Sequence, residues 1–213
     1  AVYTFKHALL QDVAYSSLLR NRRAEIHGTI ANAIEATFPD TVRTQPEIVA
    51  RHLTEAGLIG RAVPMWEQAG RNAARKSANT EAIQHFNKAL ELTASLPDGE
   101  ARKRLELAIK LHLGPVYMTA KGFGAPEAGA AYERARELAE DLLDLPQLFT
   151  AIWGLWLFNL IQMRTAATRS LSEELLAIGA RSGDPGQLLQ AYHTSWTTNF
   201  FLGDFGYTQE QAR

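Results

Sequence analysis

Residues 62–98 read AVPMWEQAGRNAARKSANTEAIQHFNKALELTASLPD, and this stretch decides the fold of the 213-residue chain. Apolar and small residues recur in it every three or four positions, which predicts two amphipathic helices separated by a short break. The small residues Ala69 and Gly70 allow the two helices to approach each other closely in an antiparallel arrangement. Trp66 and Phe86 are large enough to fill the space between this pair and the next. The stretch therefore predicts a helical hairpin.

The spacing of these residues resembles a tetratricopeptide unit. The residues that carry the resemblance, at positions 4, 7, 8, 20, 24 and 27 of such a unit, are Trp66, Ala69, Gly70, Ala82, Phe86 and Ala89. Looser units follow around Gly114 and Gly154, at a spacing of about forty residues, whereas the usual repeat is ~34 residues long. This is similar to the long, degenerate tetratricopeptide type of bacterial regulators. The resemblance implies an all-α fold, a right-handed α-solenoid of helical hairpins.

The chain divides into two regions on this pattern. Residues 1–38 are predicted to be the end of a winged-helix region and a linking helix, with a possible short strand at 2–5. Residues 39–213 are predicted to be the repeat region. Its expected units are 46–61 (partial), 62–98, 101–144, 146–182 and 185–213 (truncated). Because the chain starts without Met and stops within a repeat, we expect it to be a piece of a larger protein.

The opening stretch, FKHALLQDVAYSSLLRNRRAEIHGTIANAIE (residues 5–35), resembles the end of the winged-helix region in STAND-class regulatory ATPases. The matching residues are Phe5, His7, Leu9, Asp12, Ala14, Tyr15, Leu18, Leu19, Arg22, Arg23, Ile26, His27, Ile30 and Ala31. His7 corresponds to the histidine of the Met-His-Asp motif, which in nucleotide-switch proteins such as plant immune receptors reaches the β-phosphate of ADP. The acid of that motif is replaced by Ala8. The alternative is that His7 only packs or hydrogen-bonds locally.

The resemblance implies a function without catalysis by this chain. It implies the sensor and protein-interaction arm of a cytoplasmic, multidomain nucleotide switch, with ATP or ADP bound by an upstream ATPase domain that His7 would contact. Similar bacterial proteins often carry a class III adenylate or guanylate cyclase, and sometimes a DNA-binding regulator. A plain tetratricopeptide scaffold and a helical enzyme remain alternatives, although an enzyme needs titratable groups that converge in a pocket.

A protein or peptide partner is expected on the concave surface of the solenoid. If Gly70, Gly154 and Ser195 are equivalent positions, the partner-binding residues are Arg71, Arg75, Leu155, Phe158, Asn159, Tyr192, Trp196, Asn199 and Phe200. This surface would be charged at its front and aromatic towards its back, and aromatic side chains often dominate binding energy. The alternative is that the aromatic residues at 153–158 and 192–205 belong to a core.

Composition argues against several other functions. The 22 basic and 23 acidic residues give a net charge of -1, which offers no electrostatic footprint for nucleic acid. The six histidines form no H-x-x-x-H pair and there is no cysteine, so we expect no metal site and no disulfide. The longest apolar run, residues 148–161, is shorter than the ~20 residues of a spanning helix, so no membrane contact is expected.

Overall fold

The computed structural model of the chain describes residues 19–204 and residue 206. Residues 19–204 form ten α-helices without a strand. The helices are α1 (Arg20–Thr37), α2 (Pro39–Thr44), α3 (Pro46–Glu55), α4 (Ile59–Arg75), α5 (Asn79–Ala94), α6 (Glu100–Lys121), α7 (Pro126–Asp141), α8 (Leu145–Ile161), α9 (Thr165–Ser182) and α10 (Pro185–Phe201). Residues 1–18 of the predicted region 1–38, which include the strand at 2–5 and His7, lie outside the described residues.

The helices stack as consecutive antiparallel hairpins in two layers. α4, α6, α8 and α10 are the first helices of their units and touch one another in sequence. α5, α7 and α9 are second helices, and each packs against the first helix before it and the first helix after it. At the other end, α1 and α3 pair, α2 contacts both, and α3 packs on α4. The predicted unit 62–98 thus corresponds to α4 and α5.

Glycines in the first helices make room for aromatic rings of the second helices. A Cβ atom added to Gly70 would lie 2.6 Å from Cε1 of Phe86, the aromatic residue of the same unit. At Gly114 and at Gly154, an added Cβ would overlap the ring of Tyr132. Tyr132 is on α7, so its ring reaches the backbone of both neighbouring first helices. Only glycine permits backbone and ring to approach this closely.

Three of the first helices end in the same geometry. Ser77, Met163 and Gly203 follow α4, α8 and α10 with φ values of 58°, 56° and 80°, in the left-handed region. In each case the next residue donates its N–H to the carbonyl five residues back, at 2.9–3.0 Å. A left-handed residue at this point ends a helix and reverses the chain. These ends give a structural alignment of α4, α8 and α10.

The alignment shows that large and small residues change places between units. Counting back seven residues from Ser77, Met163 and Gly203 leads to Gly70, Trp156 and Trp196. The residues seven positions after the helix starts Asn79 and Thr165 are Phe86 in α5 and Ser172 in α9. The pair of glycine and phenylalanine in one unit therefore corresponds to tryptophan and serine in the other.

Hydrogen bonds between side chains fasten the N-terminal helices to the repeats. The Nδ1 atoms of His27 on α1 and His52 on α3 lie 2.7 Å apart. Arg61 on α4 donates to Asn32 at 3.0 Å and pairs with Glu35, both on α1. α1, α3 and α4 therefore hold together through polar contacts as well as through the shared apolar core.

Filling the space at the helix glycines should destabilise the solenoid. We expect Gly70→Ala and Gly114→Ala each to lower the free energy of unfolding by about 1–3 kcal/mol, the usual cost of overpacking. Gly60→Ala is the matched control in α4, since nothing lies within 4 Å of its added Cβ. Thermal or urea unfolding followed by circular dichroism measures the effect. Equal midpoints for all three variants and the wild type would contradict the packing described above.

Candidate protein-interaction surface

The first helices expose one face each, and the helix-end alignment identifies it. In α4 the residues one and five positions after Gly70 are Arg71 and Arg75, and both are exposed. α6 does not share that helix end, but its Gly114 meets the ring of its own unit as Gly70 does, and the residues one and five positions after it are Pro115 and Thr119, also exposed. The equivalent residues of α8 are Leu157 and Ile161. We call the surface formed by these six residues the first-helix face.

At the α4 end the first-helix face is charged and ordered by neighbouring side chains. The Arg71 Nε atom lies 3.7 Å from Glu67 Oε1, and His112 Nε2 of α6 lies 3.4 Å from the same oxygen. The hydrogen bond with His112 lowers the pKa of Glu67 below its usual value, against an opposing effect of burial. Glu67 is therefore ionised at neutral pH, and it offsets part of the positive charge of Arg71.

Arg75 is positioned by a buried amide. Its guanidinium donates to Asn72 Oδ1, and Asn72 Nδ2 donates to the carbonyl of Arg43 at 2.9 Å. Asn72 is only 8% exposed, so its two hydrogen bonds satisfy an otherwise buried amide. No carboxylate among the described residues forms an ion pair with Arg75, which leaves its charge available to a ligand.

The predicted binding residues of α8 are buried, which corrects their placement on an exposed surface. Leu155, Phe158 and Asn159 are 5%, 6% and 8% exposed. The prediction took Gly154 as equivalent to Gly70, but Trp156 holds that position. A shift of two residues turns a helix by about 200° and selects its opposite face.

Gly154 instead accommodates a ring of the preceding unit. A Cβ added to Gly154 would overlap Tyr132 of α7. Phe158 of α8 contacts Gly129, which is also on α7. Asn159 Nδ2 donates to the carbonyl of Leu155 at 2.8 Å. This side of α8 is therefore packed against α7.

The exposed face of α8 is apolar and was missed from the sequence. Leu157 and Ile161 hold the positions of Arg71 and Arg75; Leu157 is half-buried and Ile161 is 50% exposed. Trp153, one turn before Leu157, is also half-buried. The turn after the helix is the signal that would have found them. Met163 after α8 is equivalent to Ser77 after α4, whereas Gly154 and Gly70 are not equivalent.

The predicted binding residues of α10 are largely on the surface. Tyr192, Trp196 and Phe200 are 47%, 38% and 47% exposed. The rings of Trp196 and Phe200 stack with centroids 5.9 Å apart. Asn199 is half-buried and donates to the carbonyl of Ser195 at 2.8 Å. The helix-end alignment puts Trp196 itself at the position of Gly70, so this aromatic group is turned by about 100° from the predicted register.

Four of the described histidines, His27, His52, His85 and His112, form contacts between helices. His85 lies 5.3 Å from Trp66 between ring centroids, and His52 faces His27 as described above. Within the described part of the chain, no three histidine, aspartate or glutamate side chains gather as a metal site. None of the helices described is both long and apolar enough to cross a membrane.

Comparisons with known proteins place the fold. No family model matches the chain. An uncharacterized protein of Rhizobium meliloti (strain 1021) is 28% identical over 217 residues, covering 99% of this chain and 20% of the relative. The chain thus spans about one fifth of the length of that curated relative.

Two solved structures resemble the chain over most of their length. One is BtubC (BKLC) from P. vanneervenii, and the other is a kinesin light chain-like protein from Podosopora anserina with nearly identical TPR-like repeats. Each has a TM-score of 0.60 and 16% sequence identity, and covers 92% of this chain. The matches cover 89% and 93% of the two solved chains. The predicted all-α, tetratricopeptide-like solenoid is confirmed.

Lower pH should weaken the junction of α1, α3 and α4. Burial, followed by the charge of His27, lowers the pKa of His52 below its ordinary value of 6.5, and burial lowers the pKa of His85. The folded state therefore binds fewer protons than the unfolded chain. The contribution of His52 and His85 to the free energy of unfolding is complete above about pH 6.5 and is lost as the pH falls through their folded pKa values. We expect urea unfolding to show this loss between about pH 7.5 and pH 5.

Replacing one histidine should reduce that pH dependence. His52→Gln removes one of the two groups, so its free energy of unfolding should fall less over this range than that of the wild type. His193→Gln changes an exposed histidine on α10 and is the control. Its free energy of unfolding should change with pH as that of the wild type does. A His52→Gln slope equal to the wild type would contradict this account.

Proposed function

We propose that this chain is a non-catalytic protein-interaction module that binds a peptide segment along its first-helix face. The observation that carries the proposal is the change of that face from charged at α4, with Arg71 and Arg75, to apolar at α8, with Leu157 and Ile161. The tetratricopeptide-like fold supports it, because solenoids of this kind present extended surfaces made of successive repeats.

The chemistry of the face defines the ligand. Arg75 presents a guanidinium that suits a carboxylate, because its planar fork donates two parallel hydrogen bonds. Pro115 and Thr119 of α6 carry no charge and lie on the helix between the two ends. Ile161 and Leu157 suit an aliphatic or aromatic side chain, which gains free energy when its apolar surface is removed from water. The ligand class is therefore a peptide with an acidic end and an apolar end.

Substitutions at both ends of the face should change binding in different ways. The probe is a fluorescent peptide of about 12 residues, with Glu at one end and Leu and Trp at the other. Ile161→Asp should weaken its binding about tenfold, which corresponds to the loss of one anchor residue. The double variant Arg71→Glu, Arg75→Glu should instead favour a peptide in which Lys replaces Glu. Fluorescence anisotropy measures both effects.

Matched controls separate these effects from general changes of charge. Leu143→Asp introduces the same acid at an 86% exposed leucine in the turn between α7 and α8. Lys88→Glu reverses a charge on the second helix α5. Both controls should bind the probe as the wild type does. If the controls weaken binding as much as Ile161→Asp, or if no variant changes it, the first-helix face is not the binding site.

We further propose that the module works as the sensor arm of a larger nucleotide-switch protein in the cytoplasm. The support is the resemblance of residues 3–38 to STAND-class ATPases and the length of the relative, of which the aligned part is 20%. In this proposal an upstream domain binds ATP or ADP, and His7 donates a hydrogen bond to the phosphate. A class III nucleotide cyclase is the effector that the resemblance favours. A DNA-binding regulator or a plain scaffold without a switch are the alternatives.

The nucleotide proposal predicts different nucleotide binding for this chain alone and for the larger protein. The chain alone should give flat calorimetric titrations with ATP-Mg and with ADP, because it contains no G-x-x-x-x-G-K-[ST] phosphate loop. A longer protein with such a loop upstream should bind ADP. The substitution His7→Ala in that protein should weaken the binding of ADP about tenfold, the effect of one charge-assisted hydrogen bond. ADP binding that is unaffected by His7→Ala would reject the role of His7.

A further inference from the structure

An open cleft at the ends of α2 and α4 collects positive charge. It has a volume of about 210 Å³ and is lined by Arg43, Thr44, Asn72, Arg75 and Lys76. Arg43 and Thr44 are the last two residues of α2, whereas Asn72 and Arg75 are on α4 and Lys76 directly follows it. All of them except Asn72 are exposed. We call these five residues the basic cleft.

The buried side chain of Asn72 holds the two sides of the basic cleft together. It is 8% exposed, its Nδ2 atom donates to the carbonyl of Arg43 at 2.9 Å, and its Oδ1 atom accepts from the guanidinium of Arg75. A guanidinium has five N–H donors, so Arg75 keeps others for a ligand. Asn72 therefore fixes the backbone of Arg43 relative to the guanidinium of Arg75 before any ligand arrives.

The charges of the basic cleft are not balanced by the residues around it. Arg43 pairs with Asp40 at 3.0 Å. Among the residues that the structure describes, no carboxylate forms an ion pair with Arg75 or Lys76. Glu47, the next acid along the chain, does not line the cleft. Three cations and one carboxylate therefore leave two positive charges.

The two helix ends account for little of this positive charge. Cations near a helix C-terminus interact favourably with carbonyl groups that lack hydrogen-bond donors. At the end of α4, however, the carbonyls of Ala73 and Ala74 accept backbone N–H groups at 2.9–3.0 Å. At the end of α2, the carbonyl of Thr41 accepts a backbone N–H at 2.8 Å and that of Arg43 accepts from Asn72. These carbonyls already have donors, so the cations are free to bind an external anion.

The size of the unbalanced charge selects the class of anion. A phosphate monoester carries about −1.5 to −2 charges at pH 7 and has three acceptor oxygens, whereas a carboxylate carries one charge. Guanidinium groups bind phosphate through two parallel hydrogen bonds, and lysine binds it as a point charge. Two arginines and one lysine, partly neutralised by Asp40, therefore match a phosphate monoester better than a carboxylate.

We propose that the basic cleft binds the phosphate monoester of a phosphorylated side chain at the charged end of the peptide on the first-helix face. Arg75 belongs to both the cleft and that face, so a peptide on the face places its charged end beside the cleft. This inference rests on the proposed function and names the group that fills its acidic end. Free phosphate is the other source of the same chemistry.

Three peptides that differ at one residue test the ligand. The probe peptide of the first-helix face is made with Glu, Ser or phosphoserine at its charged end. Phosphoserine should bind about tenfold more tightly than Glu in fluorescence anisotropy, and Glu should bind more tightly than Ser. Inorganic phosphate should displace the phosphoserine peptide only at concentrations at least about a hundredfold above that of the unlabelled phosphoserine peptide, because it lacks the apolar end.

Substitutions outside the first-helix face locate the phosphate. Arg43→Gln and Lys76→Gln should each weaken the phosphoserine peptide about tenfold and the Glu peptide much less. Asp40→Asn should tighten the phosphoserine peptide about threefold, because it releases Arg43 from its ion pair. Lys88→Gln removes one positive charge on α5 and is the control, with wild-type affinity for every peptide. All four side chains are solvent-accessible, so circular dichroism melting should match the wild type.

The outcomes separate this inference from the proposed function. Equal affinity for the phosphoserine and Glu peptides, or Arg43→Gln and Lys76→Gln that behave as Lys88→Gln does, overturns the phosphate site and leaves peptide binding on the first-helix face standing. Inorganic phosphate that binds as tightly as the phosphoserine peptide, with no effect of Ile161→Asp on either, makes free phosphate the ligand and rejects the peptide function. Failure of every peptide and of inorganic phosphate to bind overturns both.

Discussion

The contact of the Tyr132 ring with the backbone at Gly114 and Gly154 is the constraint on which the middle of the solenoid depends. The ring is 2% exposed, and its burial raises the pKa of the hydroxyl to about 12. Since two first helices close on one side chain, the ring sets both the spacing of α6 and α8 and the rotation of α8 about its axis. A rigid aromatic side chain suits this role because it has few conformations to lose on burial.

The rotation of α8 determines which surfaces the molecule presents. With Gly154 against Tyr132, the residues Leu155, Phe158 and Asn159 enter the interior, and Leu157 and Ile161 face outward. Trp156 turns towards the next unit and donates from Nε1 to Thr198 Oγ1 of α10 at 2.8 Å. The same packing of α8 therefore shapes the first-helix face and links α8 to α10 of the next unit.

Ion pairs within and between units add orientation more than stability. Arg134 of α7 pairs with Glu106 of α6, and Arg136 of α7 pairs with Glu174 of α9 at 3.0 Å. These side chains are partly exposed, so each pair contributes only about 0–1 kcal/mol. The stacking of units rests on the apolar clusters that run from α1 to α10.

The sequence by itself determined the class of the fold and the helical hairpin at residues 62–98, because helical periodicity and the spacing of small and large residues within one hairpin are local properties. It predicted a surface that changes from charged to apolar along the chain, but placed its apolar part on α8 residues that the structure buries. Only the tertiary structure decided the register of α8 and α10. A glycine fits a ring of its own unit or of the preceding unit equally well, and the sequence does not state which ring is there. Gly154 contacts the ring of the preceding unit, so Trp156 holds the position of Gly70 in α8, and the helix end at Gly203 places Trp196 there in α10.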